Sequence, residues 1–208
     1  NYLFFRASHQ FVKVSVNSQE VYSFGWEDGH LFGKTPGCAW IVVPVSKEQA
    51  GGNLEIEIVS AYNNARTGII NEAYIGDKSS IIAYIIKDRI ISAIACVVIL
   101  TLGFSMMMIA MLLRSGGHTI ALFRLGALSV VTGIWSICIL NILQLLIRDV
   151  FFLLNMEFLT FTLLLPFFLW FLQAFDFYRK QKIVRIMFWI SILNFILALH
   201  LVYDQHAI

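Results

Sequence analysis

Charge is scarce in this chain. Of its 208 residues, 13% are charged, and there are only three prolines and three cysteines. A soluble domain averages about 25% charged residues, so with 59% apolar residues the chain is not a soluble domain over its whole length. Cys38, Cys96 and Cys138 are too few and too scattered for a disulfide framework or a zinc knuckle, and we read them as small apolar fillers. The net charge is +2, without a basic tail or a basic aromatic stripe, which argues against nucleic acid as a partner. No N-x-[ST] sequon occurs. His9 and His30 lack a third ligand at metal spacing. No glycine-rich phosphate loop and no nucleophile–base pair is visible, so we expect no enzyme activity, metal or cofactor in these residues. No charged segment followed by a short apolar one marks a signal peptide. The first residue is Asn1, and we expect a chain cut from a longer protein at both ends.

What is present is unevenly spread. Residues 1–89 have ordinary composition, and the apolar surplus follows residue 89. In FVKVSVN, Val12, Val14 and Val16 alternate with Lys13, Ser15 and Asn17; in NLEIEIVS, Leu54, Ile56 and Ile58 alternate with Glu55 and Glu57. Period 2 predicts strands with one face on a core. EVYSF follows the first strand after a short Ser-Gln turn, as in a hairpin. Gly33, Pro36-Gly37 and Gly51-Gly52 predict further turns. The fold class is therefore β plus membrane α: a small β-sandwich or jelly roll over residues 1–76, a coupling linker or short helix over 77–89, and a transmembrane helix bundle over 90–208. Ile81, Ile82, Ile85 and Ile86 give the linker its apolar spacing.

Residues 90–113 form a charge-free run of 24, enough to cross a hydrocarbon core of about 30 Å. Three more helices are predicted at about 119–147, 150–175 and 186–203. Arg179, Lys180, Lys182 and Arg185 crowd the loop before the last one. Positive charge collects in the cytoplasm, so that loop is expected inside and the β domain outside the cell. Lys87 and Arg89 argue mildly the other way.

Polar residues within apolar runs are functional candidates. Glu157 is expected to pair with Arg148 or to relay a signal, and Asn141 and Gln144 to bond Asn155 or Glu157 across the bundle. Pro166 is expected to kink the third helix. In the β domain, Trp26, Glu27, Asp28, His30 and Trp40 could line a carbohydrate site, since aromatic faces stack on sugar rings and carboxylates accept hydroxyl hydrogens. The competing reading puts Trp40 in a core strand and Trp26 in a polar loop.

Two stretches carry a resemblance. VKVSVNSQEVYSF, AWIVVPVS and AGGNLEIEIVSAY resemble the galactose-binding-like jelly roll, on Val14, Val16, Asn17, Gly52, Asn53 and Leu54. FRLGALSVVTGIWSICILNILQLLIRD with FLTFTLLLPFFLWFL resembles the membrane region of bacterial multi-helix sensors, on Leu125, Gly126, Gly133, Ile134, Trp135, Ser136, Asn141, Leu145, Leu146 and Pro166. An acidic residue common before the Asn141 position is replaced by Leu140. That resemblance implies an extracytoplasmic jelly roll, a bundle of about seven or eight helices in a bacterial inner membrane, and a cytoplasmic output, commonly a GGDEF diguanylate cyclase, beyond residue 208. It also implies a homodimer, since such sensors often act as dimers. The expected partners are the lipid bilayer and an extracellular carbohydrate or other small ligand. The expected function is a sensory input region. The alternatives are a membrane-anchored carbohydrate-binding or adhesion module and a transporter accessory subunit.

Overall fold

The computed structural model describes residues 1–26, 36–46, 49, 51–60, 72–113, 117–147 and 149–206. Glu27, Asp28, His30, Gly33, Arg114 and Arg148 lie outside them. The chain divides into two compact units, Asn1–Arg89 with Asn141–Leu154, and Ile90–Leu140 with Asn155–Ile208.

Among its described residues the first unit holds six strands: β1 (Tyr2–Ser8), β2 (Gln10–Val16), β3 (Gln19–Phe24), β4 (Cys38–Pro44), β5 (Leu54–Ser60) and β6 (Tyr74–Gly76). They form two antiparallel sheets of three strands, ordered β4-β1-β6 and β3-β2-β5. β1 pairs with β4 from Tyr2↔Pro44 to Ser8↔Cys38. β2 pairs with β5 from Gln10↔Ser60 to Val16↔Leu54. One apolar cluster joins both sheets: Leu3, Phe5 and Ala7 of β1, Ala39, Ile41 and Val43 of β4, and Val12 and Val14 of β2. The alternation predicted for β2 is the burial observed, with Val12, Val14 and Val16 inside and Lys13 and Ser15 half-buried.

The β2–β3 turn is Asn17-Ser18, not Ser-Gln, and Gln19 already pairs with Val16. Both turn residues have positive φ, 51° and 66°, the requirement of the two-residue hairpin turn that matches strand twist. Asn tolerates this region better than most residues. Its side chain has a second use. Asn17 Oδ1 accepts a hydrogen bond from the Asn53 N–H at 2.9 Å, and the Asn17 N–H donates to the Asn53 carbonyl at 2.9 Å. A Cβ on Gly52 would meet the Asn17 amide at 2.7 Å. The Val14–Asn17 and Gly52–Leu54 segments thus meet in space.

β1 is apolar on both faces because both are covered. Phe4 points away from the inter-sheet core and packs with Ile81 and Ile85, flanked by Tyr2, Trp40, Val42 and Tyr74. Ile81 and Ile85 belong to α1 (Lys78–Leu113), one continuous helix of 36 residues rather than a short helix leading into another. At about 1.5 Å per residue it is far longer than the roughly 20 residues that a bilayer core needs. Asp77 caps it: its carboxylate accepts the Ser80 N–H at 3.1 Å and the Ser79 and Ser80 hydroxyls. The Ser79 hydroxyl foremost, then Ser80, holds the Asp77 carboxyl well below the usual carboxylate range.

The second unit contains the rest of α1, α2 (Gly117–Ile139), most of α3 (Val150–Leu172), the short α4 (Asp176–Arg179) and α5 (Lys182–His206). α1, α2, α3 and α5 are long and apolar enough to span a membrane, and at most 28% of each apolar window is buried. Apolar helices with so much exposed surface fit lipid as solvent. α1 and α2 meet through glycines: a Cβ on Gly126 would lie 2.7 Å from the Gly103 carbonyl oxygen, and one on Gly133 2.6 Å from Leu100. Small residues let membrane helices approach this closely. Trp135 meets Phe161 of α3 at 5.8 Å between ring centres. Pro166 is buried and α3 continues through it; the proline removes one helical donor.

α2 stops eight residues before the expected end at 147. Asn141 takes a left-handed conformation, φ 58°, as Asn does when it ends a helix in place of Gly. A single 3₁₀ turn, Ile142–Leu145, follows.

Candidate functional site

A polar concavity lies where β1, β6 and α1 meet. It is a cleft of about 300 Å³ lined by Phe4, Arg6, Glu72, Tyr74 and Tyr84. Each residue is there for a local reason. Phe4 and Arg6 alternate onto the outer face of β1, opposite Leu3, Phe5 and Ala7. Tyr74 opens β6, pairing with Phe4. Tyr84 precedes the buried Ile85, so it emerges beside the packed face of α1. The floor is aromatic: Phe4 stacks on Tyr74 at 6.3 Å and meets Tyr84 edge-on at 6.2 Å, and the two tyrosine rings are 4.6 Å apart.

The rim is a hydrogen-bonded series. The Tyr74 hydroxyl donates to Glu72 and lies 3.0 Å from the Tyr84 hydroxyl. With that proton committed to Glu72, Tyr84 is left to donate. The bond to Glu72 first, then the one to Tyr84, holds the Tyr74 phenol well above its ordinary pKa. On the other side, Arg6 Nη2 donates to Asp88 Oδ2 at 2.7 Å, and Arg89 Nε lies 3.1 Å from the same oxygen. Arg6 therefore joins the sheet to α1 while facing the cleft. Aromatic faces, a carboxylate and a guanidinium around one opening suit a small polar ligand with ring hydroxyls or a carboxylate.

The residues predicted from sequence are distributed differently. Trp26 lies against Phe11, 5.4 Å between ring centres, with Lys13 Nζ 5.3 Å from its ring. Phe11 and Lys13 are the outward side chains of β2. Trp40 stands on the outer face of the other sheet, half-buried beside Phe4. The two tryptophans thus occupy opposite sides of the inter-sheet core. Glu27, Asp28 and His30 fall outside the described residues. The cleft residues went unnoticed because they are scattered over 80 positions; the available signal was Arg6, a lone charge in the apolar strand YLFFRAS.

Gln144 has different partners from those expected. Its Oε1 accepts the Trp40 N–H at 3.0 Å, and its Nε2 donates to the Cys38 carbonyl at 2.7 Å and to Asn141 Oδ1 at 2.8 Å. The turn after α2 therefore ties to β4 within the first unit, and Val150 packs on the inter-sheet core. Asn155 is buried, with Oδ1 lacking a partner among the described residues. Glu157 is half-buried, its backbone carbonyl taking the Thr160 hydroxyl at 3.1 Å. Cys96 and Cys138 are buried thiols, and Cys38 Sγ lies 3.5 Å from the Ser8 hydroxyl and 3.6 Å from His9 Nε2. Gln144→Ala removes both bonds to β4 and strands a backbone N–H and C=O; it is expected to cost about 2 kcal/mol, read as a lower thermal midpoint and faster amide exchange at Trp40. Unchanged exchange at Trp40 would show the tie to be incidental.

No family model, curated protein or solved structure matches this chain.

Proposed function

We propose that the chain is the sensory input region of a bacterial membrane signal-transduction protein. Its β domain, a galactose-binding-like jelly roll, takes a small polar ligand in the Phe4–Tyr84 cleft. Binding is passed to the membrane helices and on to a cytoplasmic output of the diguanylate cyclase type. One observation carries this reading: the cleft is built partly from α1 itself. Tyr84 lines it and Asp88 holds Arg6, so a ligand that engages Arg6 competes with a helix for the same guanidinium.

Two observations support this orientation. Residues 141–154 belong to the same unit as the sheets, so with four spanning helices the β domain and the α2–α3 turn share one side. Arg179, Lys180, Lys182 and Arg185 then fall on the opposite side, and the positive-inside rule makes that side cytoplasmic. In a Cys38→Ala background, an impermeant maleimide applied to intact cells is expected to label Ser18→Cys and to spare Lys180→Cys. The reverse pattern would invert the topology and end the receptor reading.

Coupling is tested in nanodiscs. Saccharides and organic acids are screened for binding, and amide exchange is compared with and without each ligand that binds. A ligand lost in Arg6→Gln and Tyr84→Ala should also change exchange across residues 78–89. Binding with changes confined to the strands would favour the adhesion module, for which the aromatic–carboxylate lining is equally suited.

A further inference from the structure

A second cleft, of about 330 Å³, opens at one end of the second unit, lined by Ala110, Met111, Thr119, Ile120, Phe123, Arg124 and Trp170. It joins the end of α1, the start of α2 and the end of α3. Apart from Thr119 and Arg124 these side chains are apolar, and Arg124 alone is charged. It is seven residues beyond Gly117, about 10 Å along the helix axis, deep enough that its charge must find compensation.

That compensation is incomplete among the described residues. Arg124 Nη1 donates to the Trp170 carbonyl at 2.9 Å, one of the last carbonyls of α3, and the guanidinium lies 5.1 Å from the Trp170 ring centre. These contacts fix the plane of the group. A guanidinium has five donors, and the carbonyl takes one. Nε is buried without a partner among the described residues, and none of the ion pairs among them includes Arg124. Arg179, Lys180, Lys182 and Arg185 add positive charge at the same helix ends; the one acid there, Asp176, is paired with Arg179 at 2.6 Å. Meanwhile Met111 and Ile120 are more than half exposed at the mouth.

We propose that this cleft binds an anionic phospholipid of the leaflet at that end. The phosphate takes the open donors of the Arg124 guanidinium, whose fork matches phosphate oxygens, and an acyl chain lies along Ile120 and Met111. A free anion would leave that apolar mouth without a use, whereas a lipid fills both parts. Basic pockets between membrane helices recognise headgroups in this way.

The test uses the full chain in mild detergent. Native mass spectrometry reads retention from an equimolar mixture of dioleoyl phosphatidylglycerol and dioleoyl phosphatidylcholine, which share their chains. The expected preference for phosphatidylglycerol is about fivefold, from about 1 kcal/mol per well-placed basic side chain. Arg124→Gln should remove it, and Lys182→Gln, outside the cleft, should not. Should Arg124→Gln fail to fold, Ile120→Glu decides, because it places a carboxylate at an exposed position of the mouth; it too should abolish the preference. Equal retention of the two lipids, or a preference that survives Arg124→Gln or Ile120→Glu, would overturn the proposal. So would displacement of phosphatidylglycerol by inorganic phosphate at equal concentration, which would mark a site for soluble anions.

Discussion

Ile85→Asp should detach the start of α1 from the sheets. Ile85 is 1% exposed and Ile81 4% exposed, and together with Phe4 they make the small cluster on the outer face of β1. A carboxylate there would be buried without a described partner. An unpaired buried charge costs about 3–5 kcal/mol, more than the cluster of three side chains can absorb. The inter-sheet core, which does not include Ile85, should survive. The expected result is therefore selective: rapid amide exchange over residues 78–88 and at Phe4, with β2 and β5 still protected. On the proposed sensory role, the variant should keep expression and lose the response to ligand. Retained signalling at normal expression would remove residues 78–89 from the coupling route. Ile85→Ala gives the graded version, at about 2–4 kcal/mol by loss of buried volume.

Gly126→Val is expected to act with similar force on the second unit. The added Cβ would lie 2.7 Å from the Gly103 carbonyl oxygen and 3.0 Å from the Met107 nitrogen. Both neighbours are backbone, so no rotamer change relieves the clash, and α1 and α2 must move apart along their whole crossing. Overpacking typically costs about 1–3 kcal/mol, and a backbone clash belongs at the top of that range. The midpoint of unfolding in a denaturing detergent titration should fall steeply, with much protein lost to aggregation. Gly133→Ala should be milder, because its neighbour at 2.6 Å is the side chain of Leu100, which can turn. An unchanged midpoint for Gly126→Val would mean that the two helices do not pack through these glycines.

The parts of the fold that were legible in the sequence share one property: their signal is local. Alternation over Val12, Val14 and Val16 gave β2, and the long apolar runs gave four helices. The failures are non-local. The second helix was expected to reach residue 147 because ILNILQLLI is apolar apart from Asn141 and Gln144, so hydropathy has no clear edge at Ile139. The stop rests on the backbone of Asn141, and the fate of Gln144 rests on β4, over a hundred residues earlier. Both residues stood out as polar in an apolar run, but polarity alone could not separate a bond across a bundle from a bond to a strand. Similarly, α1 read as a linker plus a span because Lys87, Asp88 and Arg89 interrupt its apolar run. Lys87 and Asp88 are exposed and Arg89 half-buried on an unbroken helix, and Asp88 proved to be the partner of Arg6. The cleft itself was invisible, since aromatic residues at 4, 74 and 84 have no spacing rule in common.

The tie between Gln144 and β4 also bears on the order of synthesis. The unit that contains the sheets is not continuous in the chain: it takes Asn1–Arg89 and then, after a gap, Asn141–Leu154. The bonds that close it join residues 104 and 106 positions apart. Such long-range closures come late and slow folding. As the chain emerges from the ribosome, the sheets can pair first, but β4 must wait, with Trp40 N–H and Cys38 C=O unsatisfied, until two membrane helices have been made. Completion of the N-terminal unit is thereby made to depend on insertion, and a chain that fails to insert α2 leaves behind an edge open to other strands.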